Sequence, residues 1–185
     1  MNRLLLRALN APILILLVAI GIAVQTSIFA WYPLNYLQPD VVLLVVVWVG
    51  LRRSFTEGGV ITLILANISE IHSAAPQGLF FIVNMVIYLL VRGANVLLVL
   101  PNLSSWVGLT LAASLLWKGL YLGVLYLMGE GAHQWRHTLV LLFPGAVTEG
   151  ALAIWAYRWL EQFDWVTFKS PRAQRLLEDE LQLES

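Results

Sequence analysis

Cysteine is absent from the 185 residues, which excludes disulfides, thiol nucleophiles and cysteine-ligated metals. Charge is scarce: Asp, Glu, Lys and Arg make up 12% of the chain, against roughly 25% in a soluble domain. The formal net charge is zero, so no basic field points to nucleic acid. There is no His-Glu-x-x-His helix motif, no Gly-x-Ser-x-Gly elbow and no glycine-rich phosphate loop. Of the three histidines, His133 and His137 share a polar loop with Glu130, at a spacing too loose to suggest a metal site. Without a nucleophile-and-base set, the expectation is a non-enzymatic chain with no cofactor.

What is present is oil, 59% of the residues being apolar. Most of such a surface must face lipid, and the length leaves no room for a separate soluble domain. The expected fold is an all-α integral membrane protein. A polytopic domain spans residues 1–165, and 166–185 form a cytoplasmic tail.

One stretch orients the rest. Pro39 and Asp40 open a helix: a proline in the first turn loses no needed hydrogen bond, and an acid there meets the positive end of the helix dipole. Residues 41–51 carry no charge, and the run stops at Arg52 and Arg53, paired cations of the kind that mark a cytoplasmic face. Six crossings follow from this register, at about 11–30, 39–51, 58–71, 78–100, 104–128 and 138–160. The second and third are short for a bilayer of about 30 Å. Joining them as a re-entrant hairpin would bury Arg52, Arg53 and Glu57 in the membrane, which argues against that alternative. Arg3 and Arg7 before the first run resemble a secretory signal, but the run is long and Ile28 and Ala30 make a weak cleavage pattern, so an uncleaved crossing is expected.

Charge placement agrees. Arg3, Arg7, Arg52, Arg53, Arg92, Arg158, Lys169, Arg172 and Arg175 fall on one side and Arg136 on the other, which predicts both termini in the cytoplasm. In the tail, Ser170 and Pro171 would cap a short amphipathic helix with Ala173, Leu176, Leu177 and Leu181 on one face, either a solvated end or a docking helix.

Polar groups within the oil stand out. Lys118 lies ten residues from 128, and Glu149 eleven from 138 (128 − 118 and 149 − 138), so at about 1.5 Å per residue their depths match. Thr110, Ser114, Lys118 and Tyr121 form one stripe, facing a small-residue stripe of Gly145, Glu149, Ala153 and Ala156. The expectation is a buried Lys118–Glu149 pair, read either as a structural clasp or as part of an ion path or partner switch. Asn67, Glu70 and Asn84, with Ser73, suggest a second polar group between the third and fourth helices, a helix contact or a ligand pocket. The Arg52–Arg53 corner is either a cytoplasmic contact or a topology anchor.

The order of these features resembles the MreD family of bacterial rod-shape membrane proteins. The likeness covers about residues 21–160. It rests on Gln25-Thr26-Ser27, the Pro39-Asp40 opening, Gly50-Leu51-Arg52-Arg53, the helix led by Gly58, an acid late in that helix, and Gly78 before Asn84 and Tyr88. Where the family has a glycine-leucine pair and an aspartate, this chain reads Ala66-Asn67-Ile68-Ser69-Glu70. The resemblance implies a scaffold in the bacterial inner (plasma) membrane. Its implied partners are MreC, the actin-like filament MreB, a RodA-type glycosyltransferase and a class B penicillin-binding protein, with membrane lipid around it and no nucleic acid. It also implies a fold like the substrate-binding S-component of energy-coupling-factor transporters. The alternative function is therefore a small-molecule-binding transport subunit, which would need polar groups converging on an outer pocket.

Overall fold

The computed structural model describes residues 3–29, 31, 39–73, 75–97, 103–129 and 135–170, with backbone alone at 3–4 and 135–143. These residues form six helices and no strand: α1 (Arg3–Ile28), α2 (Val41–Arg52), α3 (Phe55–Ile71), α4 (Leu79–Leu97), α5 (Leu103–Leu127) and α6 (Trp135–Val166). The proposed tail helix and the Glu130–His133 loop lie outside the described residues.

Asp40 caps α2, its carboxylate accepting from the Leu43 N–H at 3.0 Å. Ser54 caps α3 in the same way, with Glu57 three residues on, as a capping box requires. The far end of α2 is closed by α4. Arg92 donates to the Arg53 carbonyl at 2.8 Å and Asn95 to the Leu51 carbonyl at 3.2 Å, satisfying groups a helix C-terminus leaves open.

α2 is the hub. Every residue from 42 to 51 is buried, and the helix touches each of the other five. Its twelve residues make a rod of about 18 Å, well under the ~30 Å of a hydrocarbon core. Because its neighbours enclose it, that length does not have to match the lipid.

Between helices in lipid, oil replaces oil, so close backbone approach and van der Waals contact carry the packing. Two glycines show it. A Cβ on Gly50 would stand 2.8 Å from Val91 Cγ1, and one on Gly58 would meet the Tyr88 ring and hydroxyl at 2.9 Å. Tyr88 also donates to the Phe55 carbonyl at 2.6 Å, fastening α4 to the start of α3.

Three helical stretches, Leu5–Ile28, Leu79–Leu97 and Leu103–Leu127, are long and apolar enough to cross a membrane. α1 buries Asn10, Leu14, Val18 and Ile22 at four-residue spacing and leaves Leu5, Leu16, Ile20 and Val24 exposed. Several helices differ from the expected boundaries. α1 begins at Arg3 rather than near 11, α2 at Val41 with Pro39 outside it, and α3 at Phe55 rather than 58; α6 runs from Trp135 to Val166 rather than from 138 to 160, so His137 falls within the helix. The extra turns of α6 end in a reversal: Phe168 has φ 55°, Lys169 N–H bonds back to the Asp164 carbonyl and Phe168 N–H to that of Trp165. This is a Schellman closure with phenylalanine where glycine is usual.

Candidate functional site

Polar chemistry gathers at the two ends of α2. At its N-terminal end, where α1 and α3 finish and α4 begins, lies a cavity of about 300 Å³. Gln25, Thr26, Asp40, Ser69, His72 and Ser73 line it, together with Phe80, Trp117, Lys118 and Glu149. Gln25 reaches across to accept from the Val41 N–H at 3.2 Å, joining α1 to the capped start of α2.

The structure brings Lys118 and Glu149 together, Nζ to Oε1 at 3.4 Å, and Lys118 also donates to Ser114 Oγ at 3.2 Å. The lysine lies across α6 at Gly145, where a Cβ would stand 2.5 Å from its Nζ. Glu149 is 2% exposed, and its Oε2 is buried with no hydrogen-bond partner among the described residues. Of the other residues in the expected stripe, one also faces α6 and one turns away. Thr110 bonds the Tyr157 hydroxyl, and Tyr121 stacks on Trp117 at 5.3 Å between ring centroids.

The polar group expected from Asn67, Glu70 and Asn84 does not assemble. Asn67 is exposed, sharing a face with the exposed Val60, Ile64 and Ile71. Glu70 is half-buried, and its Oε1 has no hydrogen-bond partner among the described residues. Asn84 is buried and pairs toward α5, accepting from Trp117 Nε1 at 3.2 Å while donating to the Phe80 carbonyl at 2.9 Å. All three lie near helix ends, but the helical period sends Asn67 to the outer face.

At the C-terminal end of α2 the two arginines part. Arg52 is exposed. Its guanidinium lies 4.5 Å from the Trp106 ring centroid and 5.3 Å from that of Trp48, and 3.5 Å from Glu161. Arg53 turns inward and is 4% exposed. Its Nη2 donates to Asp164 Oδ1 and, at 2.8 Å, to Asn10 Oδ1. Asn10 in turn donates to Asp164 and to Thr167, and Trp48 Nε1 donates to the other carboxylate oxygen at 3.3 Å. Arg53 is thus consumed inside the protein and offers no surface to a cytoplasmic partner. Only Arg52 of the expected corner remains accessible.

Asp164 and Asn10 were not singled out by sequence reading. A signal for Asp164 exists: it lies 15 residues beyond Glu149 (164 − 149), close to four helical turns, so it continues the same inward face through Ala153, Tyr157 and Leu160.

Among the described residues no group of three or more His, Cys, Asp or Glu is arranged to hold a metal ion. No protein-family model, curated protein or solved structure matches the chain.

Proposed function

We propose that the chain is a non-enzymatic membrane scaffold of the MreD kind, with six crossings and both termini in the cytoplasm of a bacterial cell. One observation supports the reading: several of the residues on which the resemblance rests are ones around which this fold closes. Asp40 caps the central helix, Gly50 and Gly58 admit Val91 and Tyr88, and Arg53 anchors Asp164. On this reading the chain pairs with MreC and helps couple an MreB filament to a RodA-type glycosyltransferase and a class B penicillin-binding protein. Affinity purification of the full chain from mild detergent tests it. Co-purification of a bitopic protein with a large extracytoplasmic domain is expected, and its consistent absence would reject the scaffold.

The cavity beside Asp40 favours a second reading, a small-molecule-binding transport subunit with a fold like an energy-coupling-factor S-component. The same purification separates the two, because a transport subunit would bring a pair of ATPases and a coupling membrane protein instead.

A further inference from the structure

The charges of the cavity do not balance. Asp40 and Glu149 are two carboxylates facing one ammonium, Lys118, while His72 on the wall is engaged through Nδ1 with the Ile68 carbonyl. Lys118 is already shared between Glu149 Oε1 and Ser114. Asp40 spends one oxygen on its cap, and its charge acts on both Lys118 and Glu149. Glu149 Oε2 accepts from none of the described residues, although the residue is almost fully buried. An unpaired buried carboxylate oxygen is costly, and a surplus negative charge within a bundle of apolar helices more so. The site therefore calls for a donor that brings positive charge.

The walls say which kind of cation. Among the described residues no group of acids and histidines converges as a metal ion would need. Phe80 and Trp117 instead present an aromatic wall, with ring centroids 5.8 Å apart and both residues lining the cavity. Carboxylates beside aromatic faces are the combination that recognises an organic ammonium. A volume of about 300 Å³ lies at the small end of the range for ligand sites.

We propose that this cavity binds a small organic ammonium, its N–H groups held by Glu149 Oε2 and Asp40 and its apolar part lying against Phe80 and Trp117. The ammonium can come from a free amine or from the headgroup of phosphatidylethanolamine, since both present the same chemistry. The proposal stands apart from the scaffold reading, because it concerns the cavity whatever proteins travel with the chain.

The test uses the full chain in nanodiscs. In discs of phosphatidylglycerol alone, calorimetric titration with phenethylammonium chloride should show saturable one-to-one binding. In mixed discs with phosphatidylethanolamine, native mass spectrometry reads retention of that lipid. Binding to either probe supports the proposal, and the arm that responds identifies the source. Glu149→Gln should weaken binding at least about tenfold, the scale of a lost hydrogen bond to a charged group. Thr26→Trp, at an exposed position on the rim, should plug the cavity and abolish binding while leaving the buried charges alone. If Glu149→Gln fails to fold, Thr26→Trp decides. No saturable binding of either probe overturns the proposal, as does binding that survives Thr26→Trp, or a site that takes sodium and no amine.

Discussion

Arg53 and Asp164 lie 111 residues apart in the chain, yet their side chains form a buried ion pair beneath α2, exposed by 2% and 6%. The pair ties the second helix to the last, and Asn10 brings in the first. Removing one partner leaves a stranded charge, at a cost of about 3–5 kcal/mol. Arg53→Gln and Asp164→Asn should each lower the thermal unfolding temperature in detergent sharply. The double variant Arg53→Met with Asp164→Leu should recover much of the loss, because it strands no charge. Equal damage in single and double variants would reject the pair as the cause.

Arg52 provides the contrast. Its ion pair with Glu161 is open to solvent, with side chains exposed by 29% and 62%. Such pairs contribute about 0–1 kcal/mol, so Glu161→Gln should leave the unfolding temperature nearly unchanged. Arg52→Gln should cost somewhat more, because the guanidinium also lies over Trp106 and Trp48.

Lys118 and Glu149 should show strong coupling. Lys118→Met leaves Glu149 without its cation, and Glu149→Gln leaves Lys118 without its anion. Each single variant should reduce folded yield on size-exclusion chromatography, and the double variant should be less damaged than the sum of the two. Strict additivity would show that the two side chains act separately.

Two glycine substitutions should have opposite signs. Gly58→Ala drives a methyl into the Tyr88 ring and lies 3.2 Å from the Val49 carbonyl, an overpacking worth about 1–3 kcal/mol. Gly119→Ala meets nothing within 4 Å on the exposed side of α5. There alanine's better helix propensity should stabilise by up to about 1 kcal/mol. Unfolding temperatures of the two variants check both signs.

Reporter fusions at the first and last residues test the expected topology. Both should report the cytoplasm, and opposite compartments would reject the six-crossing arrangement with its gathered cations.

Parts of this fold were legible because they follow from local chemistry. Pro39, Asp40 and an uncharged run ending in two arginines define α2 without tertiary knowledge. Matched depth on antiparallel helices places Lys118 near Glu149. The Arg53 nest was hidden for a different reason. Asp164 lies past the expected end of α6, among charged and aromatic residues that read as a wet helix terminus. Only the fold reveals that its face turns inward. Asn67 misled in the opposite direction: a polar residue in an apolar helix suggests a buried partner, yet it lies on the outer face. The parting of Arg52 and Arg53 was equally invisible, because neighbouring residues on a helix end point about 100° apart and only the packing says which direction is inside.

The shortness of α2 has a mechanical consequence. The enclosing helices carry the demands of bilayer thickness, and the inner rod is free to serve as an axle. Gln25 of α1 holds it at one end, accepting from the Val41 N–H, and Arg53 holds it at the other through Asp164. A slide by one turn, about 5.4 Å, would pull both ends out of register at once. A full-turn piston stroke of this helix therefore costs the contacts at both of its ends together.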